Sequence, residues 1–319
     1  MRIMLRTFRN GDEAALVQLW NEVLVHDPIN ENRFRNQILL DANFDPKGLI
    51  VAVEEGEIVG AVLAITRKLP MEGTNLESDT GWITFFMVHQ QYERANIGHQ
   101  LFEKACDYIK NEGAEKVYFS SYAPNYFVPG IDEERYPKGF AFLLKKGFRK
   151  VYSPVAMHRA LIDYVYPEQI KELKKQRELE GYSFGKVQDG DLYELIQFAN
   201  VHFNADWGRA IREGILMGMD PSRILVAKKQ DIVVGFALYG GYEGIRERFG
   251  PFGVDEREQG KGLGKILLHD TLHEMRKQSL QGAWFLWTSE KSSAGHLYLK
   301  NGFKTYRKFH VMVKELTNN

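Results

Sequence analysis

The sequence repeats itself once, and this duplication constrains the fold more than any other feature. The stretch GLIVAVEEGEIVGAVLAI from Gly48 is similar to SRILVAKKQDIVVGFALY from Ser222. Each reads as an apolar strand, a polar turn and a second strand. Further matches are Val88 with Val254, Gly98 with Gly264 and Gly147 with Gly302. The offset of about 155 to 175 residues is far longer than a solenoid period, so the pattern predicts two related domains.

Each half of the 319-residue chain is long enough to form one domain. We place the seam just before Tyr164 and predict domains at 1–163 and 164–319. The order within each half is strand, helix, hairpin, strand, glycine turn, long helix, strand, helix and strand. Alternating strands and helices predict a mixed α/β or α+β layer fold. The charged segment PEQIKELKKQRELEG after the seam reads as a helix, either a linker or the first element of the second half.

Composition excludes several classes of protein. Lys plus Arg is 42 and Asp plus Glu is 42, so zero net charge argues against a broad nucleic-acid surface. Neither a membrane span nor a signal peptide is evident. The single cysteine, Cys106, reads as a buried core residue and excludes an intramolecular disulfide or a cysteine zinc cluster. We therefore predict a cytoplasmic protein without a metal site, and leave open whether it forms an oligomer.

The strongest chemical signal is a glycine turn after the strand that ends at Val254. The turn reads Gln259-Gly260-Lys261-Gly262-Leu263-Gly264 and leads into an amphipathic helix. Glycines before a helix N-terminus favour an anion site, because the backbone can approach a phosphate and the helix dipole attracts negative charge. Lys261 and Lys265 add positive charge. The spacing fits neither a Walker A loop nor a dinucleotide fingerprint.

The pattern Gln-x-x-Gly-x-Gly resembles the pyrophosphate loop of the GCN5-related N-acetyltransferase (GNAT) family. The segment Ala294-x-x-x-Tyr298, followed by Gly302-Phe303, resembles the second signature of that family. Gly250-Pro251-Phe252-Gly253-Val254 resembles its bulged strand, since proline and glycine interrupt a regular ladder. The resemblance extends to both halves, and the two copies in one chain resemble the tandem arrangement of mycothiol synthase.

This resemblance implies two tandem GNAT-fold domains, each with a mixed, splayed central sheet flanked by helices. It implies acetyl-CoA as the co-substrate and direct attack by an amine in a ternary complex, with Tyr298 protonating the departing thiolate. Backbone N–H groups of the bulged strand would stabilise the oxyanion. The implied cofactor-binding residues are Phe252, Gly253, Val254, Gln259, Gly260, Lys261, Gly262, Leu263, Gly264, Lys265 and Ala294.

The attacking amine must lose a proton, and we expect Glu290 to act as the base. Asp255 is the alternative, and either carboxylate also fits a solvated loop charge. A small primary amine, such as an amino sugar, an aminoglycoside-like compound or an amino acid, is the expected acceptor. Residues that would suit its pocket are Trp207, Tyr239, Tyr242, Trp284, Trp287, Asp206, Glu243 and Glu247.

The first half carries a weaker copy of both signatures. Its loop reads Glu93-Arg94-Ala95-Asn96-Ile97-Gly98, with an acid where the family has Gln or Arg. Leu143 stands at the tyrosine position and Gly139 at the alanine position. Because leucine cannot protonate a thiolate, we predict that the domain 1–163 does not catalyse acetyl transfer. Its long loop Ala123–Pro137 either covers the substrate cleft of the other half or fixes the interface between the domains.

Two competing functions remain open at this level. One is a non-catalytic CoA-binding or scaffold protein, which an intact loop together with Tyr298 disfavours. The other is an aminoacyl-tRNA-dependent transferase, which also uses paired copies of this fold. Such an enzyme does not need the pyrophosphate loop and should carry a basic face, whereas this chain has the loop and no net charge.

Overall fold

The computed structural model describes residues 3–93 and 96–316, which form two compact units. Of the described residues, the N-terminal unit contains 3–70, 75–154 and 308–316. The C-terminal unit contains 71–74 and 155–307. No helix in these described ranges has the length and apolar character needed to cross a membrane.

The N-terminal unit is built on a seven-stranded sheet with the order β1-β2-β3-β4-β5-β14-β6. The strands are β1 (Met4–Thr7), β2 (Leu49–Glu54), β3 (Glu57–Thr66), β4 (Thr80–Val88), β5 (Lys116–Phe119), β6 (Arg149–Tyr152) and β14 (Val311–Glu315). The helices are α1 (Glu13–Val23), α2 (Glu31–Phe34) with a π-helical turn at Arg35–Leu39, α3 (Ile97–Asn111) and α4 (Pro137–Lys145). Strands β4 and β5 pair in parallel, so the sheet is mixed.

The C-terminal unit has two sheets with the orders β11-β10-β9-β8 and β12-β7-β13. The strands are β7 (Val155–Ala160), β8 (Tyr182–Lys186), β9 (Ile224–Lys229), β10 (Ile232–Tyr239), β11 (Phe249–Val254), β12 (Gly282–Thr288) and β13 (Lys304–Lys308). The helices are α5 (Glu168–Leu179), α6 (Leu192–His202), α7 (Ala205–Leu216), α8 (Leu263–Lys277) and α9 (Ser293–Lys300). A core of buried apolar side chains joins α8 and α9 to these sheets.

The duplication extends to atomic packing. A Cβ atom added to Gly60 on β3 would lie 3.0 Å from Leu101 of α3, and one added to Gly235 on β10 would lie 3.0 Å from Leu267 of α8. Each glycine therefore allows the long helix to lie close against its sheet. Cys106 is buried in the apolar core that includes α3, as its spacing predicts, and burial raises the pKa of its thiol to about 12.

The last strand of each half belongs to the other unit. Strand β7 is the last strand of the first half of the sequence, yet it pairs with β12 of the second half through Ala283 and Arg159. Strand β14 is the last strand of the second half, yet it pairs with β5 and β6 of the first half. The compact units therefore differ from the sequence repeat by an exchange of equivalent strands.

The two sheets of the C-terminal unit separate where β11 begins. Just before it, Arg248 and Trp284 form an isolated parallel bridge, and the amide of Trp284 donates to the Glu247 carbonyl at 3.0 Å. Within the described ranges, no ladder joins β11 itself to β12. In the N-terminal unit the β4–β5 ladder runs from Thr80 to Ile83, less than half of β4. The predicted fold, a mixed α/β architecture with splayed sheets flanked by helices, is confirmed.

The long loop Ala123–Pro137 packs against its own unit. Asn125 donates a hydrogen bond to Asp41 at 2.5 Å, and the Tyr136 hydroxyl donates to Asp27 at 2.8 Å. Ile131 forms an isolated bridge with His310, just before β14. These contacts hold the loop on the N-terminal unit.

Candidate active site

The glycine turn has the backbone conformation of an anion site. A short 3-10 turn (Glu256–Glu258) follows β11, and Gln259 then continues in an extended conformation. Gly260 has a φ of 82° and Gly262 a φ of 81°, in the left-handed region that side chains disfavour. Gly262 is the N-cap of α8, whose first N–H groups have no partner within the helix. The turn therefore presents unpaired donors at the positive end of a 15-residue helix.

Helix α5 supports this turn from behind. The Arg177 guanidinium donates a hydrogen bond to the Lys261 carbonyl at 2.7 Å. A Cβ atom on Gly262 would lie 2.8 Å from the Leu173 side chain, so α5 packs against the turn at its N-cap. The sequence is compatible with α5 as either a linker or the first element of the second half. Its contacts through Arg177 and Leu173 show that α5 packs against the loop.

The two lysines of the turn have different electrostatic roles. The Lys261 ammonium donates to the Glu258 carboxylate at 2.6 Å and to the Tyr182 hydroxyl at 3.0 Å. The hydrogen bond to Glu258 raises the pKa of Lys261, so its charge is largely balanced. Lys265 is exposed on the first turn of α8 and has no ion-pair partner in the described part of the chain. Lys265 is therefore the more available cation for a bound phosphate.

The turn, β11 and α9 converge at Gly264. A Cβ atom on Gly264 would lie 3.4 Å from the Phe252 ring and 3.5 Å from Leu297 of α9. Leu263 is buried in the core, so only its backbone is placed to meet a ligand. Ala294 packs against the same core at the beginning of α9. The structure thus brings together the predicted residues of the loop, the bulged strand and α9.

Strand β11 contains the bulge that the family resemblance implies. Ala237 of β10 pairs with Phe252 and Tyr239 pairs with Phe249, so β11 has one extra residue at Gly250–Pro251. The bulge lies just before Phe252, Gly253 and Val254, whose backbones pair with β10 on one side. Their other side faces the gap between the two sheets.

An aromatic pair lies over this strand. The ring of Phe203 would overlap a Cβ atom on Gly253, so that glycine allows the ring to rest on the backbone. Phe203 stacks on Trp207 with ring centroids 4.6 Å apart. Trp207 was a candidate pocket residue, whereas Phe203 was missed, because it ends α6 and no helical or strand pattern points to it.

Tyr298 lies inside an aromatic cluster. Its ring centroid is 4.5 Å from that of Phe285, 5.3 Å from that of Phe303 and 5.9 Å from that of Phe252. The side chain is buried, and its hydroxyl has no hydrogen-bond partner among residues 3–93 and 96–316. Burial raises the pKa of Tyr298 far above its usual value, so the phenol stays protonated and neutral.

The two carboxylates considered as bases have different surroundings. Glu290 is exposed in the turn before α9 and accepts a hydrogen bond from the Thr305 hydroxyl of β13, rather than from Tyr298. Asp255 is buried after β11, and hydrogen bonds from Arg257 lower its pKa to about 2. A carboxylate of such low pKa is a weak proton acceptor, which favours Glu290 of the two.

Two of the three acids expected to attract an amine, Asp206 and Glu243, are paired with arginines. Asp206 accepts from Arg209 at 2.9 Å and from the Tyr242 hydroxyl at 3.0 Å. Glu243 accepts from the buried Arg248 at 2.7 Å. Among the residues described, no group of His, Cys, Asp and Glu is arranged to hold a metal ion.

The corresponding helix start of the N-terminal unit also has a left-handed N-cap, but its residue types differ. Asn96 caps α3 with a φ of 62°, in the place that Gly262 takes at α8. Glu93 forms an ion pair with Lys138 at 2.7 Å, and Arg94 and Ala95 lie outside the described residues. Leu143 is buried in the core at the position equivalent to Tyr298.

Comparisons with known proteins agree with this geometry. The family model described as Acetyltransferase (GNAT) family matches residues 14–127, and the model described as Acetyltransferase (GNAT) domain matches residues 220–305. No curated protein sequence matches the chain.

Solved structures share the fold over the whole chain. One is a GCN5-related glucosamine N-acetyltransferase region of a fungal multi-domain GH3 beta-N-acetylglucosaminidase, with a TM-score of 0.80 and 20% identity. The match covers 98% of this chain but 38% of that one, so this chain spans well under half of that protein. A GCN5-related N-acetyltransferase from Sphaerobacter thermophilus has a TM-score of 0.72 and 15% identity, covering 99% of this chain and 96% of that one.

A third similar structure has the same tandem arrangement. It is described as a tandem GNAT protein from the clavulanic acid biosynthesis pathway, with a TM-score of 0.65, 16% identity and full coverage of both chains. Together the two family models match well over half of the sequence, one in each repeat. The chain therefore belongs to the GNAT family of N-acetyltransferases, with one family domain in each half.

Proposed function

We propose that the C-terminal domain, 164–319, transfers the acetyl group of acetyl-CoA to the primary amine of a small molecule. The observation that carries this proposal is the turn at Gly260–Gly264, which caps α8 with a left-handed glycine beside a gap between two sheets. The N-terminal domain, 1–163, is proposed to lack this activity, since Leu143 replaces the tyrosine.

The loop would bind the pyrophosphate through the backbone N–H groups of residues 260–264, flanked by the side chains of Gln259 and Lys265. The free edge of β11 at Phe252, Gly253 and Val254 would bind the pantetheine arm, because strand backbone without a ladder can pair with an amide-bearing chain. Ala294, at the beginning of α9, leaves room beside that arm. Supporting this assignment, the loop, β11 and α9 meet at Gly264.

The reaction follows from the chemistry of these groups. The amine nitrogen attacks the thioester carbonyl, and N–H groups of β11 stabilise the oxyanion. The carbon–sulfur bond then breaks, and the thiolate takes the proton of the Tyr298 hydroxyl. Glu290 takes the proton that the amine loses and releases it to solvent, and solvent returns a proton to Tyr298, so both groups regain their starting states. The products are the N-acetyl amine and CoA.

The acceptor is proposed to be an amino sugar, an aminoglycoside-like compound or an amino acid. Amino sugars come first in a screen, because a glucosamine N-acetyltransferase region has the same fold. The lone buried cysteine fits a reducing compartment, and we propose the cytoplasm. Oligomerisation is not part of the proposed mechanism.

Binding of acetyl-CoA is the first test. Gly260 and Gly181 both have positive φ, at 82° and 86°, and a side chain at either would meet open space. Gly260→Asp and Gly181→Asp therefore impose similar backbone strain, but only the first puts a carboxylate on the loop. In calorimetric titration we expect Gly260→Asp to lower the affinity for acetyl-CoA by about a hundredfold through charge repulsion. Gly181→Asp should leave this affinity unchanged.

One binding site per chain is the expected stoichiometry. Two sites would show that the N-terminal domain also binds the co-substrate. Failure of the folded wild-type protein to bind acetyl-CoA would contradict the proposal and favour an aminoacyl-tRNA-dependent transferase. Suppose the protein binds acetyl-CoA but releases no CoA with any amine of a panel of amino sugars, aminoglycoside-like compounds and amino acids. That result would favour a non-catalytic CoA-binding protein.

The two lysines of the loop should contribute unequally. We expect Lys265→Gln to lower the affinity for acetyl-CoA roughly fivefold, because the variant loses one exposed ionic contact with the ligand. Lys261→Gln should have a smaller effect, because Glu258 already balances that charge. Calorimetry at low and high salt checks this, since the difference between the two variants should shrink as salt rises. Equal losses in both variants would mean that Lys261 leaves Glu258 when the ligand binds.

A further inference from the structure

A small cavity opens in the C-terminal unit at the end of β7. It has a volume of about 300 Å³ and lies between β7, the segment that follows it and the turn that joins α9 to β13. This volume is at the lower end of the range for small-molecule sites. His158, Arg159, Asp163 and Lys304 supply the charged and titratable side chains of its wall.

Arg159 is the unusual member of this wall. Its guanidinium lies 4.9 Å from the ring centroid of Tyr164, and one Nη donates a hydrogen bond to the Asn301 carbonyl. In the described ranges of the chain, no carboxylate lies within ion-pair distance, and the other guanidinium N–H groups have no partner. Burial lowers the pKa of Arg159, which marks the cost of holding this charge half out of water.

The other charged groups leave the cavity cationic. Lys304 lines it at the beginning of β13, is exposed, and has no ion-pair partner within residues 3–93 and 96–316. His158 lies on the same strand as Arg159, and Asp163 is the single acid of the wall. Two permanent cations therefore face one carboxylate that bonds to neither of them.

The cavity is separate from the acetyl-CoA loop. Arg159 contacts Asn301, the C-cap of α9, whereas Gly264 of the loop contacts α9 at Leu297, one turn before that C-cap, and no residue of the loop lines the cavity. Gly302 lines the cavity immediately after that C-cap, and a Cβ atom on it would lie 3.4 Å from the Arg159 guanidinium. The loop is on the first turn of α8, so the two sites occupy different parts of the unit.

We propose that this cavity binds a small oxyanion, a carboxylate or phosphate group of a free metabolite. The planar fork of Arg159 offers parallel N–H donors, the geometry that pairs with two oxygens of such a group. Lys304 supplies the second positive charge. Binding would complete the hydrogen bonds of Arg159 while it remains anchored to Asn301, at the end of the helix that carries Tyr298.

The test uses the full-length protein and follows the Arg159 Nε–H resonance by NMR. The resonance is assigned by its disappearance in Arg159→Lys. Inorganic phosphate and acetate are titrated separately at constant ionic strength, which distinguishes a phosphate from a carboxylate ligand. We expect a saturable shift with at least one of them. Lys304→Gln should lower the affinity for the anion about tenfold, because a charge-assisted hydrogen bond is lost.

Lys104→Gln, an exposed lysine on α3 of the N-terminal unit, is the matched control for net charge and should leave the titration unchanged. If Arg159→Lys fails to fold, Lys304→Gln and Lys104→Gln still decide the outcome, because both positions are exposed. An unmoved Arg159 resonance, or equal titrations in both glutamine variants, would overturn the proposal. The readout is local and needs no acetyl-CoA, so it does not depend on the proposed transferase activity.

Discussion

Replacing Tyr298 by phenylalanine should slow acetyl transfer by about a hundredfold or more while leaving the protein as stable as wild type. The expected loss of rate is that of a general acid, whose contribution is about 10² to 10⁴. Without the phenol, the thiolate must leave unprotonated from an apolar cluster, where a charge is poorly solvated. The measurement is CoA release with the best amine of the panel, together with thermal unfolding.

The free energy of unfolding should be unaffected by Tyr298→Phe, because removing the hydroxyl breaks no hydrogen bond. It has no partner in the described ranges, and the phenylalanine ring keeps the contacts with Phe285 and Phe303. Removing a hydroxyl that makes no hydrogen bond within the protein should change the free energy of unfolding little.

Tyr164→Phe is the matched control. The Tyr164 hydroxyl hydrogen-bonds to the ring Nδ1 of His269 at 3.0 Å and donates to the His269 carbonyl at 3.1 Å. This variant should lose about 1 kcal/mol of stability and keep its catalytic rate. A Tyr298→Phe protein with wild-type kcat would show that Tyr298 is only a core aromatic, and another proton donor would then have to be sought.

Gly295→Ala should destabilise the C-terminal unit and slow catalysis together. A Cβ atom at this position would overlap the carbonyl oxygen of Ser289, which is backbone and cannot rotate away. The beginning of α9 must then move, at a cost of about 1–3 kcal/mol. Tyr298 lies one turn further along α9, so its hydroxyl would shift with the helix and kcat should fall.

Gly282→Ala provides the comparison for this variant. A Cβ atom there meets the Arg159 carbonyl oxygen at 3.6 Å, an ordinary contact, so both stability and rate should stay near wild type. Thermal unfolding followed by tryptophan fluorescence, with parallel kinetics, separates the two variants. If Gly295→Ala unfolds at the wild-type temperature, α9 tolerates the displacement and its close approach to Ser289 has no energetic importance.

The backbone features of the candidate site can be expected from the sequence because their signals are local. Glycines at 260 and 262 suit a left-handed backbone, and Pro251 interrupts a regular ladder, so the residue types together with the family resemblance point to the turn and the bulge. Ala294 and Tyr298 lie on the same short helix, which fixes their separation. Such features depend on few distant contacts and can be inferred before the fold is known.

What the sequence does not predict depends on contacts between distant segments. From the sequence, Lys261 is expected to add positive charge to the loop. In the fold, its ammonium donates hydrogen bonds to the Glu258 carboxylate and to the Tyr182 hydroxyl, which is distant in sequence. The segments VAMHRA of β7 and VMVKE of β14 are both short apolar strands at equivalent positions. Nothing in their composition says which sheet each will join, so the exchange of strands appears only in three dimensions.

This exchange limits how the chain can be shortened, by an experimenter or by evolution. A deletion of residues 1–163 would remove the first copy and, with it, β7, the central strand of the sheet β12-β7-β13. Losing the second half would likewise remove β14 from between β5 and β6. The first half, in which Leu143 stands at the tyrosine position of the family, thus has a structural reason to persist, because it contributes a strand to the sheet of the C-terminal unit.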